Sequence, residues 1–270
     1  MTALTTTDAL APTSRTPRSG RAGLRRFVHY VRASIAALVR EWSFLTFIIA
    51  LPTVMYLFFS GIYGAEMSQA GVQVKAIMMV TMAAYGGLGA ALTAGATIQA
   101  ERSSGWFRQL MLTPLTPVQF FGGKVITAVA VVIPALLAVF IAGMIMGVRL
   151  PAGTWLAVGA LLLASLLPMI VLGLVIGLWF KQQTASAVTT LVMLALSMVG
   201  GLWFPLDMMP GFMQTIGRLL PSYWAGQIGM WPLVDGTFPW RGVLVIATWT
   251  AVLVVIGALG YRRAVRTSRR

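Results

Sequence analysis

From Trp42 onward the chain is a succession of long apolar runs separated by short polar breaks. Residues 76–98 contain no charged side chain, and neither do residues 125–148. Crossing a hydrocarbon core of about 30 Å takes roughly 20 helical residues. Six stretches meet that length: 42–63, 76–98, 125–148, 155–180, 186–204 and 240–259. Upstream, Leu24, Phe27, Val28, Val31, Ile35 and Leu38 recur at helical spacing, while Arg25, Arg26, Arg32 and Arg40 fill other positions. That pattern predicts an amphipathic helix lying in the membrane interface, arginines toward phosphates and the apolar stripe toward acyl chains. Residues 1–20 are rich in Thr, Ser, Pro and Arg, read as a disordered tail, and lack the apolar core of a signal peptide.

The stretch from Gly200 to Pro221 behaves differently. It stays apolar but is cut by Pro205, Pro210 and Pro221, and Met209, Phe212, Met213, Ile216, Leu219 and Leu220 recur at roughly helical spacing. It is too short and too interrupted to span. A re-entrant or interfacial helical hairpin is expected, with its broken backbone satisfied by neighbouring helices or water and Phe204 beginning its apolar face. The division of the chain is therefore a basic tail over 1–23, a transmembrane domain over 24–261 and a second basic tail over 262–270. The expected fold class is all-α: a polytopic membrane protein with six transmembrane helices, an N-terminal interfacial helix, a cytoplasmic coupling helix and an outer helical hairpin.

Composition agrees with membrane residence. Of 270 residues 58% are hydrophobic and only 10% charged, with a mean hydropathy of +0.85. No cysteine is present, so disulfides and thiolate metal sites are unavailable. The formal charge of +14 is concentrated at the two ends. Basic clusters beside spans act as topology determinants and contacts for anionic lipid more often than as nucleic-acid sites. With both termini cytoplasmic, sixteen of the twenty Lys and Arg residues lie inside, leaving Lys75, Arg149, Arg218 and Arg241 outside. That asymmetry predicts a multi-pass protein of the cell membrane with cytoplasmic termini.

Within the spans, Gly87, Ala91 and Gly95 follow one another at i, i+4 and form a stripe on which another helix can pack closely. Pro52, Pro134 and Pro168 fall inside the first, third and fourth spans, where each removes a backbone donor. The charged interval from Gln99 to Pro114 separates two spans. It reads as a short helix opened near Ser103 or Ser104 and closed by Thr113-Pro114. Trp106, Leu110 and Thr113 share one face of it, with Phe107 and Met111 beside them. Such a helix either rests on the lipid or offers an aromatic and apolar face to another protein.

The pattern Glu101-Arg102, Gly105, Leu110, Pro114, then Leu115-Thr116 and Gly123-Lys124, resembles the intracellular coupling segment of ABC-2 type transporter permeases. Gly-Leu-Trp-Phe-Pro at 201–205, Met-Met-Pro at 208–210 and Leu-Pro-Ser-Tyr at 220–223 are similar to the end of the same family. The likeness extends from Leu24 over nearly the whole chain. It implies contact between Glu101, Arg102, Gly105, Trp106, Phe107, Leu110 and Pro114 and a separate cytoplasmic ATPase subunit. It also implies a dimer of identical or related permease subunits, and an amphipathic cargo such as a drug, lipid or glycan carrier. Where the family usually carries a small hydroxylated residue after the glycine, this chain has Trp106.

The residues limit the alternatives. A phosphate-binding loop needs Gly-x-x-x-x-Gly-Lys-Ser/Thr, but Gly123-Lys124 has Val118 at the first glycine position and Val125 at the hydroxyl position. No cofactor is therefore expected on this chain, with ATP and magnesium on the partner subunit. An ion-driven carrier would keep an acid or histidine at mid-membrane, and no span holds one. An enzyme would need converging nucleophiles, acids or metal ligands, which the sequence does not offer. A non-transporting scaffold would leave the coupling segment and the hairpin unexplained. Glu101 is expected to bind an arginine or backbone donors at the start of the following helix.

Overall fold

The structure, a computed structural model, describes residues 28, 31–36, 42–64, 66–68, 71–103, 117–234 and 236–268. The expected tail over 1–23, most of the interfacial helix and the segment 104–116 lie outside the described residues; residues 31–36 of the interfacial helix are helical. Among the described residues ten α-helices follow in chain order: α1 (Trp42–Tyr63), α2 (Val74–Leu92), α3 (Ala94–Ser103), α4 (Pro117–Ile145), α5 (Ala152–Ser165), α6 (Leu167–Trp179), α7 (Gln182–Val199), α8 (Gly211–Gly217), α9 (Pro221–Met230) and α10 (Trp240–Ser268). No strand occurs among the described residues beyond a single bridge between Met67 and Gln73. Helices dominate because hydrocarbon offers no partner for backbone N–H and C=O groups, so each segment must satisfy its own. Hydroxyls inside the helices follow the same rule: Thr53, Thr127, Ser197 and Thr250 each donate to the carbonyl four residues back.

Among the described residues, five stretches are long and apolar enough to cross a membrane: Val74–Gln99, Gln119–Ile145, Ala152–Trp179, Gln182–Val199 and Trp240–Arg263. The first expected span corresponds to α1, a 22-residue helix that includes the apolar stretch Ile48–Tyr63. Two spans expected as single helices are divided. Thr93 separates α2 from α3, its hydroxyl bonding back to the Ala90 carbonyl at 2.7 Å. Leu166 separates α5 from α6, and Pro168 lies in the first turn of α6 rather than within a continuous helix, where its missing N–H costs nothing. Pro52 and Pro134 do lie inside α1 and α4.

The connections gather at two ends. At one end Lys75 Nζ donates to the Met146 carbonyl at 3.4 Å, and Phe59 meets Phe204 edge to face, joining the α1–α2, α4–α5 and α7–α8 connections. At the other end Gln99 Nε2 donates to the Phe180 carbonyl at 3.5 Å, and the rings of Phe120 and Phe121 stack against Tyr261. Between the ends, α2 is the central helix: Met79, Val80, Ala83, Ala84, Leu88, Ala90 and Ala91 are buried, packed by α1, α4, α6 and α9.

The hairpin is folded, in a form that differs from one continuous apolar helix. Gly201, with φ +71°, ends α7 in the left-handed region that glycine tolerates. A single 3-10 turn, Leu206–Met208, then the seven-residue α8 and the ten-residue α9 follow. Pro205 and Pro210 stand immediately before their helical pieces, and Pro221 opens α9, so the three prolines start helices rather than merely interrupt one. Ser222 Oγ donates to the Leu196 carbonyl at 2.7 Å, and Gln214 Nε2 to Met209 at 2.9 Å. Phe204, Met208, Phe212, Ile216 and Leu219 remain exposed within the single chain, whereas Leu202 and Leu206 are buried. The apolar positions of this stretch thus divide between anchors and an outward face.

Candidate functional site

The site lies at the end of the bundle where α3 leaves and α4 enters. α3 is held against α6 by backbone-to-backbone contact. A Cβ placed on Gly95 would meet the Gly173 carbonyl, one on Gly173 the Leu92 and Ala91 carbonyls, and one on Gly177 the Gly95 carbonyl. Only glycine permits this approach, in which Gly95 of the expected Gly87, Ala91 and Gly95 stripe takes part. Gly87 faces Leu166 and Leu136 instead, where α2 meets the α5–α6 junction and α4. Ala91 is buried beside Gly173.

Nearly two turns beyond Gly95, Glu101 lies on the same helical arm. Its carboxylate meets Lys124, two turns into α4: Nζ donates to Oε1 at 2.7 Å and to Thr97 Oγ1 at 3.3 Å. The Lys124 side chain is 1% exposed and that of Glu101 15%. Phe120, on the same face of α4, presents its ring 5.9 Å from Nζ. The described partner of Glu101 is thus a lysine within the following helix, α4. A four-methylene stem reaches across the helix interface, which a short backbone N–H cannot do.

Burial pushes the Glu101 carboxyl above the usual carboxylate range, with the Lys124 ammonium pulling in the opposite direction. A pair of this kind fixes geometry more than it adds stability, since desolvation offsets most of the Coulombic gain. What it achieves is mechanical: α3 and α4 flank residues 104–116, and the pair ties both flanks together.

Of the other residues singled out in the sequence, Arg102 continues α3. Gly105, Trp106, Phe107, Leu110 and Pro114 lie outside the described residues. Phe204, Pro205, Pro210 and Pro221 belong to the hairpin at the opposite end, so the two candidate regions form no common site. Lys124 is the residue that pattern reading missed as a partner. Its signal was available: it is a lone charge entering an otherwise apolar helix, which demands a nearby counter-charge.

A bundle of apolar helices, with a buried ion pair beside a connecting segment, defines a multi-pass helical membrane protein. The chain belongs to the ABC-2 type transporter family, which it matches over residues 25–233, a range that includes Glu101, Lys124 and the whole hairpin. It is also 28% identical over 227 residues to a Bacillus subtilis (strain 168) protein, YvfS, named as a transport permease; the match covers 83% of this chain and 92% of that one.

Proposed function

We propose that this chain is the permease subunit of an ATP-driven exporter that moves a hydrophobic or amphipathic substrate out of the cytoplasm or inner leaflet. A separate cytoplasmic ATPase subunit docks on the 104–116 segment, with Gly105 allowing close approach and Trp106, Phe107 and Leu110 as buried anchors. The permease works as a dimer of identical or related subunits, each with six spans and cytoplasmic termini. In support of six, α1 has 22 residues and is therefore about 33 Å long.

The observation that carries this reading is the buried Glu101–Lys124 pair beside the Gly95–Gly173 contact. A stroke applied to residues 104–116 would pass into α3 and α4 through the pair, and from α3 into α6 through the glycine contact. Helices in van der Waals contact along their backbones move as one body, because a close-packed interface does not deform continuously.

The test is to purify the chain with its natural partners, identify the co-purifying ATPase and compare Glu101→Gln and Gly105→Leu with the unmodified complex. Both variants should insert and assemble, Glu101→Gln with a lowered melting temperature because Lys124 loses its counter-charge, and both should lose substrate-dependent transport and alter ATP hydrolysis by the partner. Variants that assemble and transport at the unmodified rate would remove the coupling role. An ion-driven carrier would instead transport without any co-purifying ATPase, and a scaffold would not transport at all.

A further inference from the structure

At the end of the bundle opposite the Glu101–Lys124 pair, an open cleft of about 540 Å³ is lined by Arg218, Tyr223, Trp224, Arg241, Leu244 and Val245. Arg218 follows α8, Tyr223 and Trp224 are in the first turn of α9, and the other three are at the start of α10. Three separate elements therefore contribute to the cleft, and two of them bring a guanidinium. From this juxtaposition of two arginines, a tyrosine and an apolar floor we infer a binding site for an amphiphile whose phosphate headgroup carries net negative charge.

Aromatic residues next to the cleft suit the level of lipid headgroups. Trp231, Phe238 and Trp240 stack edge to face at 5.0 and 4.9 Å, the kind of aromatic cluster that sits at a membrane–water boundary. The backbone carrying Arg218 is pinned by two indoles: Trp224 Nε1 donates to the Arg218 carbonyl at 2.8 Å and Trp249 Nε1 to the Leu219 carbonyl at 2.9 Å. Leu244 is 69% exposed and lies on the helix that runs from the cleft into the bundle, so it offers a surface to an acyl chain.

The chemistry selects an anion with several oxygens. Arg218 makes only a loose contact with Asp207, NH2 to Oδ1 at 3.7 Å, and both side chains are largely exposed. Phosphate oxygens match the planar guanidinium fork in bidentate fashion and would replace that contact. Burial pushes the Tyr223 phenol up; Asp207 adds to the effect and Arg218 opposes it, so the hydroxyl stays protonated and can donate. The site does not rest on the export reading, since a lipid can occupy it whether or not the chain transports.

Purified full-length chain is mixed in detergent with equal amounts of phosphatidylglycerol and phosphatidylcholine of identical acyl chains, and bound lipid is read by native mass spectrometry. Phosphatidylglycerol should be retained about tenfold more than phosphatidylcholine, and Arg218→Gln with Arg241→Gln should bring the two to parity. Asp207→Asn, which frees Arg218, should strengthen retention roughly twofold or more. Persistence of phosphatidylglycerol against millimolar glycerol phosphate assigns the site to lipid; displacement assigns the same anion site to a free phosphate compound. Equal retention of the two lipids, or unchanged retention in a double variant that elutes as the unmodified protein does, overturns the proposal. If the double variant fails to fold, an Asp207→Asn chain with no gain overturns it equally.

Discussion

Lys124 Nζ sits 2.7 Å from Glu101 Oε1, tying together two helices that flank a segment of the chain rather than two points on one surface. The relationship is local in space and separated by 23 positions in sequence. It makes the energetic role of each partner separately testable.

Removing one partner is more damaging than removing both. Lys124→Met leaves a buried carboxylate without its ammonium and should lower stability by about 3 kcal/mol. Lys124→Met combined with Glu101→Gln buries two neutral groups and should recover most of that loss. Thermal unfolding of the detergent-solubilised protein checks the cycle; a double variant no more stable than Lys124→Met contradicts the pairing.

The raised carboxyl of Glu101 fixes the sign of its pH dependence. A carboxyl whose folded value lies above its unfolded one contributes stability that is fully present below the unfolded value. That contribution is lost as pH rises through the folded value. Acidification should therefore neutralise Glu101 before exposed glutamates, without unfolding the chain through this group. The protonated-carboxyl infrared band, taken as the difference from Glu101→Gln, should appear at a pH above the ordinary glutamate range. A band appearing only below that range contradicts the assignment.

The α3–α6 contact predicts a strong position dependence among glycines. Gly95→Val places a side chain against the Gly173 carbonyl and should cost about 2 kcal/mol or more. Gly61→Ala, in α1 with nothing near the added methyl, should be neutral or gain about 0.5–1 kcal/mol. Comparable melting temperatures for the two variants would show that the helices do not approach as described.

Topology is directly measurable because the chain has no cysteine. Single cysteines at Gly71 and Thr237, in connections at the same end of the bundle as Lys75 and Phe204, should react with an impermeant thiol reagent added to intact cells. Cysteines at Ser19 and Ser268 should not. The reverse pattern would invert the orientation and place residues 104–116 outside the cell.

Much of the architecture was legible along the chain because it depends on local chemistry. An apolar run of membrane length must be helical wherever it lies, so residues 125–148 announced α4 and 240–259 announced α10. The structured nature of the Pro205–Pro221 stretch was visible for the same reason. Helix divisions at Thr93 and Leu166 were not. Each interrupts a run whose hydropathy is continuous, and only packing against neighbours distinguishes a broken helix from an intact one.

The sequence by itself determined that the chain is helical, membrane-embedded and charged at its ends, since these properties follow from composition and period. Only the tertiary structure decided who meets whom. Glu101 had several conceivable donors along the chain, and the position of Lys124 after a two-turn run of α4 became meaningful once α3 and α4 lay side by side. In the same way, Arg218 and Arg241 are 23 residues apart and look like isolated interfacial charges, until the turn after α8 and the start of α10 bring them to one cleft. The physical reason is that hydrophobic pattern sets which faces are buried but carries no register between elements. Register comes from side-chain shape, from glycine gaps such as Gly95 against Gly173, and from the requirement that a buried charge find its partner.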